Sequence, residues 1–224
     1  MTNQLSAFEK LDGVVGVYVA HKGNLRCAAI RLTDGRLCLF SPVRGIGPTA
    51  LESLAEIGEV AFLLAPNHYH HMGLREYAGT FPDARVCAPD GAAPRLRKVT
   101  ELPVESLEAI ENLLGDEASF ITPEGLKTGE VWLRIKGAKK TSWLVVDAFC
   151  GPQFRIDAMT SSEPEVLKPF PTYGTGNKPL YAAWATAQIR DDKPEILIPC
   201  HGTIVRAQDL PAKLEKLIEV TFKT

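Results

Sequence analysis

The apolar run Val60-Ala61-Phe62-Leu63-Leu64 leads straight into Ala65-Pro66-Asn67-His68-Tyr69-His70-His71-Met72-Gly73. No other stretch constrains the chain as much. Five apolar residues have the length of a buried strand. Met72 to Tyr77 reads as the first turns of a helix, closed near Gly79 and Pro82. Three of the five histidines thus fall on a strand-to-helix loop, the place where α/β folds put ligand sites. His70 and His71 are adjacent and would leave a regular strand on opposite faces. They converge only if the backbone turns sharply between them. Imidazole is the commonest metal ligand among side chains, so the cluster reads first as a metal site. Loop histidines that bind metal adventitiously have the same pattern, and the rest of the chain must decide between the two.

Two further apolar runs end on residues of the same chemical kind. Ser142-Trp143-Leu144-Val145-Val146 closes on Asp147, and Glu195-Ile196-Leu197-Ile198-Pro199 leads into Cys200-His201-Gly202. A buried strand that closes on Asp delivers it to a ligand site or to a cap. A local role is open to each as well: Asp147 capping a turn, His201 packing at a strand end. Between these landmarks the pattern is mixed α/β. Val14 to Ala20 is β-rich. Arg26 to Leu32 and Arg36 to Phe40 flank Thr33-Asp34-Gly35 and read as an antiparallel hairpin. Thr49 is placed to cap a helix over Ala50 to Ile57, with Gly58 as its stop. A strand is expected at Ala84 to Ala88, a loop at Pro89 to Pro94, and a short helix over 105–114. Strands are expected at Phe120 to Thr122, Glu130 to Lys136 and Thr141 to Phe149, the last two joined across Gly137 to Lys140. Gly151 to Lys178 is aperiodic and too long for a plain connection, so it reads as a surface excursion or lid. Helices are expected over Leu180 to Ile189 and Ala207 to Phe222.

Composition excludes several classes. A formal net charge of −2 argues against nucleic acid as the main partner. Arg95-Leu96-Arg97-Lys98 reads as a solvated face. Met1 to Leu5 has neither a basic region nor an apolar one, so no signal peptide is expected, and no stretch is long and apolar enough to span a bilayer. The five cysteines, Cys27, Cys38, Cys87, Cys150 and Cys200, are odd in number and scattered, as in a reducing cytoplasm. Cys150 and Cys200 lie near the site in sequence and read as small buried hydrophobes rather than ligands. His21 reads as a surface residue after a strand. Tyr69, Tyr173 and Trp184 suit a pocket wall or the core equally.

The order of these strand ends resembles the metallo-β-lactamase-like hydrolases. They carry His-x-His-x-Asp-His-x-Gly after a strand, then a later His, an Asp closing an apolar strand, and a final His in a Gly-His-Gly-like turn. The resemblance implies one domain over 1–224 with an α/β fold, a four-layer αββα sandwich of two mixed β-sheets. His71 and Gly73 match the last His and Gly of the motif, and His68 its second His. Pro66 stands at the first His, His70 at the Asp, and Leu126 at the middle His. Asp147 fits the bridging Asp and His201 the final His. By this resemblance the first metal would keep only His68, too few donors for a stable site. The second would keep His70, His71 and His201, with Asp147 beside them.

The expectation is therefore a divergent site with one divalent transition metal, zinc first, with iron, manganese and nickel suited to the same donors. The metal residues are His70, His71, His201 and Asp147. The catalytic residues are Asp147, as general base, and His68, as proton shuttle or substrate contact. The function so implied is a mononuclear hydrolase acting on a small-molecule ester, thioester, amide or phosphoester. The alternatives are a catalytically inactive relative that binds a ligand or partner, and oxidation chemistry on a single iron. No nucleic acid or membrane partner is expected, and a homo-oligomer is left open.

Overall fold

Twelve strands form two six-stranded sheets in this computed structural model, which describes residues 4–138, 140–154 and 159–222. The chain divides into two compact units, Met1–Ser119 and Phe120–Thr224.

In the first unit, β1 (Glu9–Lys10), β2 (Val17–Lys22), β3 (Leu25–Arg31), β4 (Leu37–Phe40), β5 (Val60–Leu64) and β6 (Arg85–Cys87) lie in the order of the chain. The first four are antiparallel neighbours, and β4, β5 and β6 run parallel. The β3–β4 hairpin at Asp34-Gly35 forms as the sequence predicts, with Gly35 at φ 87°. Every residue of β4 and β5 is buried, which accounts for their unbroken apolar run. Four helices belong to this unit: α1 (Pro48–Ile57), α2 (Leu74–Thr80), α3 (Ala93–Thr100) and α4 (Glu108–Glu111). Leu54 of α1, Tyr77 of α2 and Leu96 of α3 join Leu37, Leu39 and Leu63 in its core.

Several local expectations are corrected here. Thr49 does not cap α1. Gly47 is the N-cap, without a side-chain bond, and Pro48 takes the first turn, where its missing N–H costs nothing. The histidine-loop helix starts at Leu74, two residues later than expected, because the turn that gathers the histidines extends through Gly73. The loop over 89–94 gives way to α3 at Ala93; its Arg95, Arg97 and Lys98 are solvent-facing as expected, while Leu96 is buried. His21 lies within β2, half-buried, rather than after a strand.

The second sheet consists of β7 (Ala118–Ile121), which spans the unit boundary, and of β8 (Trp132–Lys136), β9 (Thr141–Val145), β10 (Thr160–Ser161), β11 (Pro194–Pro199) and β12 (Ile204–Arg206) in the second unit, in the order β10-β12-β11-β9-β8-β7. β11 runs parallel to β9, and β8 antiparallel to it. Helices α5 (Phe170–Tyr173), α6 (Lys178–Asp192) and α7 (Leu210–Phe222) complete the second unit. Its core is aromatic. Trp132 touches Trp143, Phe149 and Trp184 at ring separations of 5.4, 5.5 and 5.3 Å. Trp143 Nε1 donates to Asp192 at 2.9 Å, so the polar edge of the buried indole is satisfied. Of the expected excursion over 151–178, residues 155–158 lie outside the described residues, as do Lys139 in the β8–β9 connection and Met1 to Asn3. No described helix is long and apolar enough to cross a membrane.

Candidate metal centre

The predicted donors fall into two sets, one in each unit. In the first unit the chain leaves β5 through Ala65 and Pro66 to Asn67, which is fully buried. Asn67 Oδ1 accepts from the backbone N–H of Tyr69 at 2.8 Å and of His70 at 3.1 Å. An Asn side chain that mimics a turn in this way supplies the sharp bend that adjacent histidines need. His71 Nδ1–H donates to the carbonyl of His68 at 3.2 Å. A carbonyl only accepts, so this bond fixes the proton on Nδ1 and leaves the lone pair on Nε2. His70 Nδ1 lies 2.7 Å from Ser41 Oγ. Ser41 immediately follows β4, the neighbour of β5, and its N–H donates to the carbonyl of Leu64 at 2.9 Å. It is buried and held at φ 58°, a conformation rarely adopted outside glycine and asparagine. Both rings are thus held through Nδ1 by the protein, as metal-bound histidines are, and in His71 the bond to a carbonyl leaves the Nε2 lone pair for a ligand. The His68 ring sits edge-on to Tyr69, with centroids 4.3 Å apart.

In the second unit, β9 and β11 are parallel and pair Val145 with Pro199. Asp147 and His201 each lie two residues past that pair, so the register alone brings them together. Asp147 Oδ1 and His201 Nε2 are 2.9 Å apart. Two ligands of a tetrahedral ion at ordinary zinc distances stand ~3.3 Å apart, so this pair suits either a hydrogen bond or two positions of one coordination shell. Two glycines permit the approach. A Cβ on Gly202, at φ 79°, would lie 2.1 Å from the carbonyl oxygen of Gly151, and one on Gly151 would lie 2.0 Å from that of Thr203. Beneath Asp147 sits Glu130, 1% exposed. Its carboxylate accepts from Trp132 Nε1 at 2.7 Å and from the backbone N–H groups of Asp147 and Ala148 at 3.3 Å each.

The cysteines stay out of this chemistry. All five are buried and none forms a disulfide. Burial pushes the Cys150 thiol up to about 12, with Glu165 and Asp147 adding to the shift, so the thiolate a metal would require is disfavoured. Ser41, Asn67 and Glu130 escaped the sequence reading. Only Asn67, next to the histidines, carried a signal, since Asn is a turn former.

The fold is of the metallo-β-lactamase class, an α/β fold with two mixed sheets. The DIM-1 metallo-β-lactamase exposed to ceftazidime matches with TM-score 0.64 at 13% identity, over 98% of this chain and 99% of that one. TMB-1 matches with TM-score 0.67 at 14% identity, over 99% and 100%. A flavo di-iron protein from Thermotoga maritima matches with TM-score 0.69 at 14% identity, over 99% of this chain and 62% of that one. No protein-family model matches the sequence, and no curated protein matches it. At these identities the likeness carries the fold and nothing finer.

Proposed function

We propose that this chain is a metal-dependent hydrolase with one divalent transition metal, zinc first, held by His70, His71 and His201 with Asp147 beside them. The observation that carries the reading is the way the histidine loop is held: His71 gives its Nδ1 proton to the His68 carbonyl, which leaves the Nε2 lone pair for a metal, and the His70 ring is oriented through Nδ1 by Ser41. Imidazole and carboxylate, the donors that His70, Asp147 and His201 carry, are the types a zinc ion takes. The names of the structural neighbours, metallo-β-lactamases and a di-iron protein, are those of metal proteins.

A zinc ion in such a site supplies a water acidified to a pKa of ~7 and a Lewis acid for the scissile carbonyl or phosphoryl group. The chain does the rest. Asp147, with its backbone N–H fixed on Glu130, orients the attacking water and takes its proton on a carboxylate oxygen. His68, one turn from the other histidines, contacts the substrate or returns the proton to the leaving group. Pro66 and Leu126 supply no donors, which favours one metal over two. Five cysteines without a disulfide suit a reducing cytoplasm.

The test is metal content and turnover of untagged protein. Near one ion per chain is expected. Asp147→Asn should keep most of the metal and lower turnover of a generic ester or phosphodiester by about 10²–10⁴-fold, the range for lost general-base help. His71→Ala should lose metal and activity together. Two ions per chain would overturn the mononuclear reading. Metal without turnover, and loss of metal from both variants, would favour the second reading, a site that only binds.

A further inference from the structure

A cavity of about 780 Å³ opens beside the histidine loop, lined by Lys22, Arg44, Gly45, Met72, Arg75 and Glu76. Three cations face it against one carboxylate, and that carboxylate is occupied. Glu76 accepts from the backbone N–H of Gly45 at 2.9 Å and of Ile46 at 3.1 Å. Lys22 Nζ donates to the Arg44 carbonyl at 3.0 Å, so its charge is fixed at the rim while two of its protons stay available. Arg75 is directed elsewhere, to the Thr100 carbonyl at 2.7 Å and to Glu101. Arg44 is exposed, and among the described residues no side chain or carbonyl receives its guanidinium N–H groups.

The frame around Arg44 is rigid. A Cβ on Gly73 would lie 2.3 Å from the Pro42 carbonyl oxygen and 3.2 Å from the Arg44 nitrogen, so only glycine lets the start of α2 press on this loop. Glu76 clamps the loop from one side, and Ser41, three residues before Arg44, holds His70. Met72 follows His71 directly and presents an apolar wall, 60% exposed. The segment that orients a candidate metal ligand thus also delivers an arginine whose guanidinium has no partner among the described residues.

We propose that this cavity is a subsite for the oxyanion end, carboxylate or phosphoryl, of a small molecule, with Arg44 as the planar fork and Lys22 as the point charge. That the small molecule is the substrate rests on the hydrolase reading; binding of the anion does not, because no metal ligand takes part. The chain's net charge of −2 sets nucleic acid aside.

The experiment is calorimetric titration of the chelator-treated, dialysed chain with inorganic phosphate and, separately, with succinate, at ionic strength held constant with chloride. Saturable binding of one or both is expected, and which one binds identifies the oxyanion. Arg44→Gln should weaken it about tenfold or more, the effect of losing a charge-assisted bond, and Lys22→Met by less. Lys98→Gln, an exposed charge on α3, should leave it unchanged. Binding of neither anion, or equal binding by Arg44→Gln and Lys98→Gln, would overturn the subsite. In the metal-loaded enzyme, Arg44→Gln should raise KM for an anionic ester and spare that for its neutral analogue. Equal effects on both would remove the substrate role alone.

Discussion

Ser41 offers a direct handle on His70, because its hydroxyl is the group that occupies Nδ1. Removing a group that holds a ligand's ring in orientation typically costs about 10–100-fold in metal affinity. Ser41→Ala should show a loss of that size in a competition titration with a chromophoric chelator, with the fold intact by circular dichroism. Unchanged affinity would mean that His70 is not a ligand. His21 gives a second residue-level prediction. Burial, and then the charge of Arg26, hold its imidazole below the ordinary value of 6.5, while Glu9 pulls the other way. The unfolded chain therefore takes up this proton first as pH falls. The contribution of neutral His21 is fully present above about pH 6.5 and is lost as pH drops toward the lower folded value. The unfolding midpoint should fall more between about pH 7.5 and about pH 5.5 in the parent than in His21→Gln. Equal falls would show that other groups govern the dependence. At this scale the sequence announces the candidate donors, since each stands where an apolar run stops abruptly. It is silent on Ser41 and Glu130, because a buried polar residue reveals its role only through the partner that folding brings to it.

Strand register, rather than loop conformation, brings Asp147 and His201 together. Each trails a parallel strand by the same number of residues. Glu130 ties that arrangement down, being the common acceptor for an indole and two backbone N–H groups. Glu130→Ala would leave buried donors without a partner at roughly 1–3 kcal/mol apiece, so a loss of at least about 2 kcal/mol is expected in chemical denaturation. A loss under about 0.5 kcal/mol would place those N–H groups in water. Gly202→Ala should be as severe, since the added methyl meets the Gly151 carbonyl at a positive φ. The elements around the site were legible because each combines a short apolar run with an abrupt stop. Val60–Leu64 and Glu195–Pro199 are both buried strands, as read. What was missed lacks such contrast. Helix α3 buries Ala93, Leu96 and Thr100, of which Leu96 alone is a large apolar side chain, and β12 is three residues long, so neither shows a clear apolar period in the sequence. The Gly47 cap was hidden by Thr49, a better capping residue by type, because Pro48 already holds the first helical turn.

For the whole molecule, the proposed donor set makes a thermodynamic demand. His70 and His71 belong to the first unit, Asp147 and His201 to the second. An ion bound only by the folded chain stabilises it by about 2.7 kcal/mol when free metal stands at about 100 times Kd. For a protein of this size each kcal/mol moves Tm by roughly 2–4 °C, so zinc added to the chelator-treated chain should raise Tm by roughly 5–11 °C. Because donors from both units would serve one ion, His71→Ala and His201→Ala should each abolish the whole shift, and the transitions of both units should move together in calorimetry. A shift that survives His201→Ala would locate the ion on the histidine loop alone, a binding loop rather than a catalytic centre. A shift that survives His71→Ala would locate it at Asp147 and His201. Either result would break the one-site reading while leaving the fold untouched, since the sheets and their cores are built from residues that no ion touches.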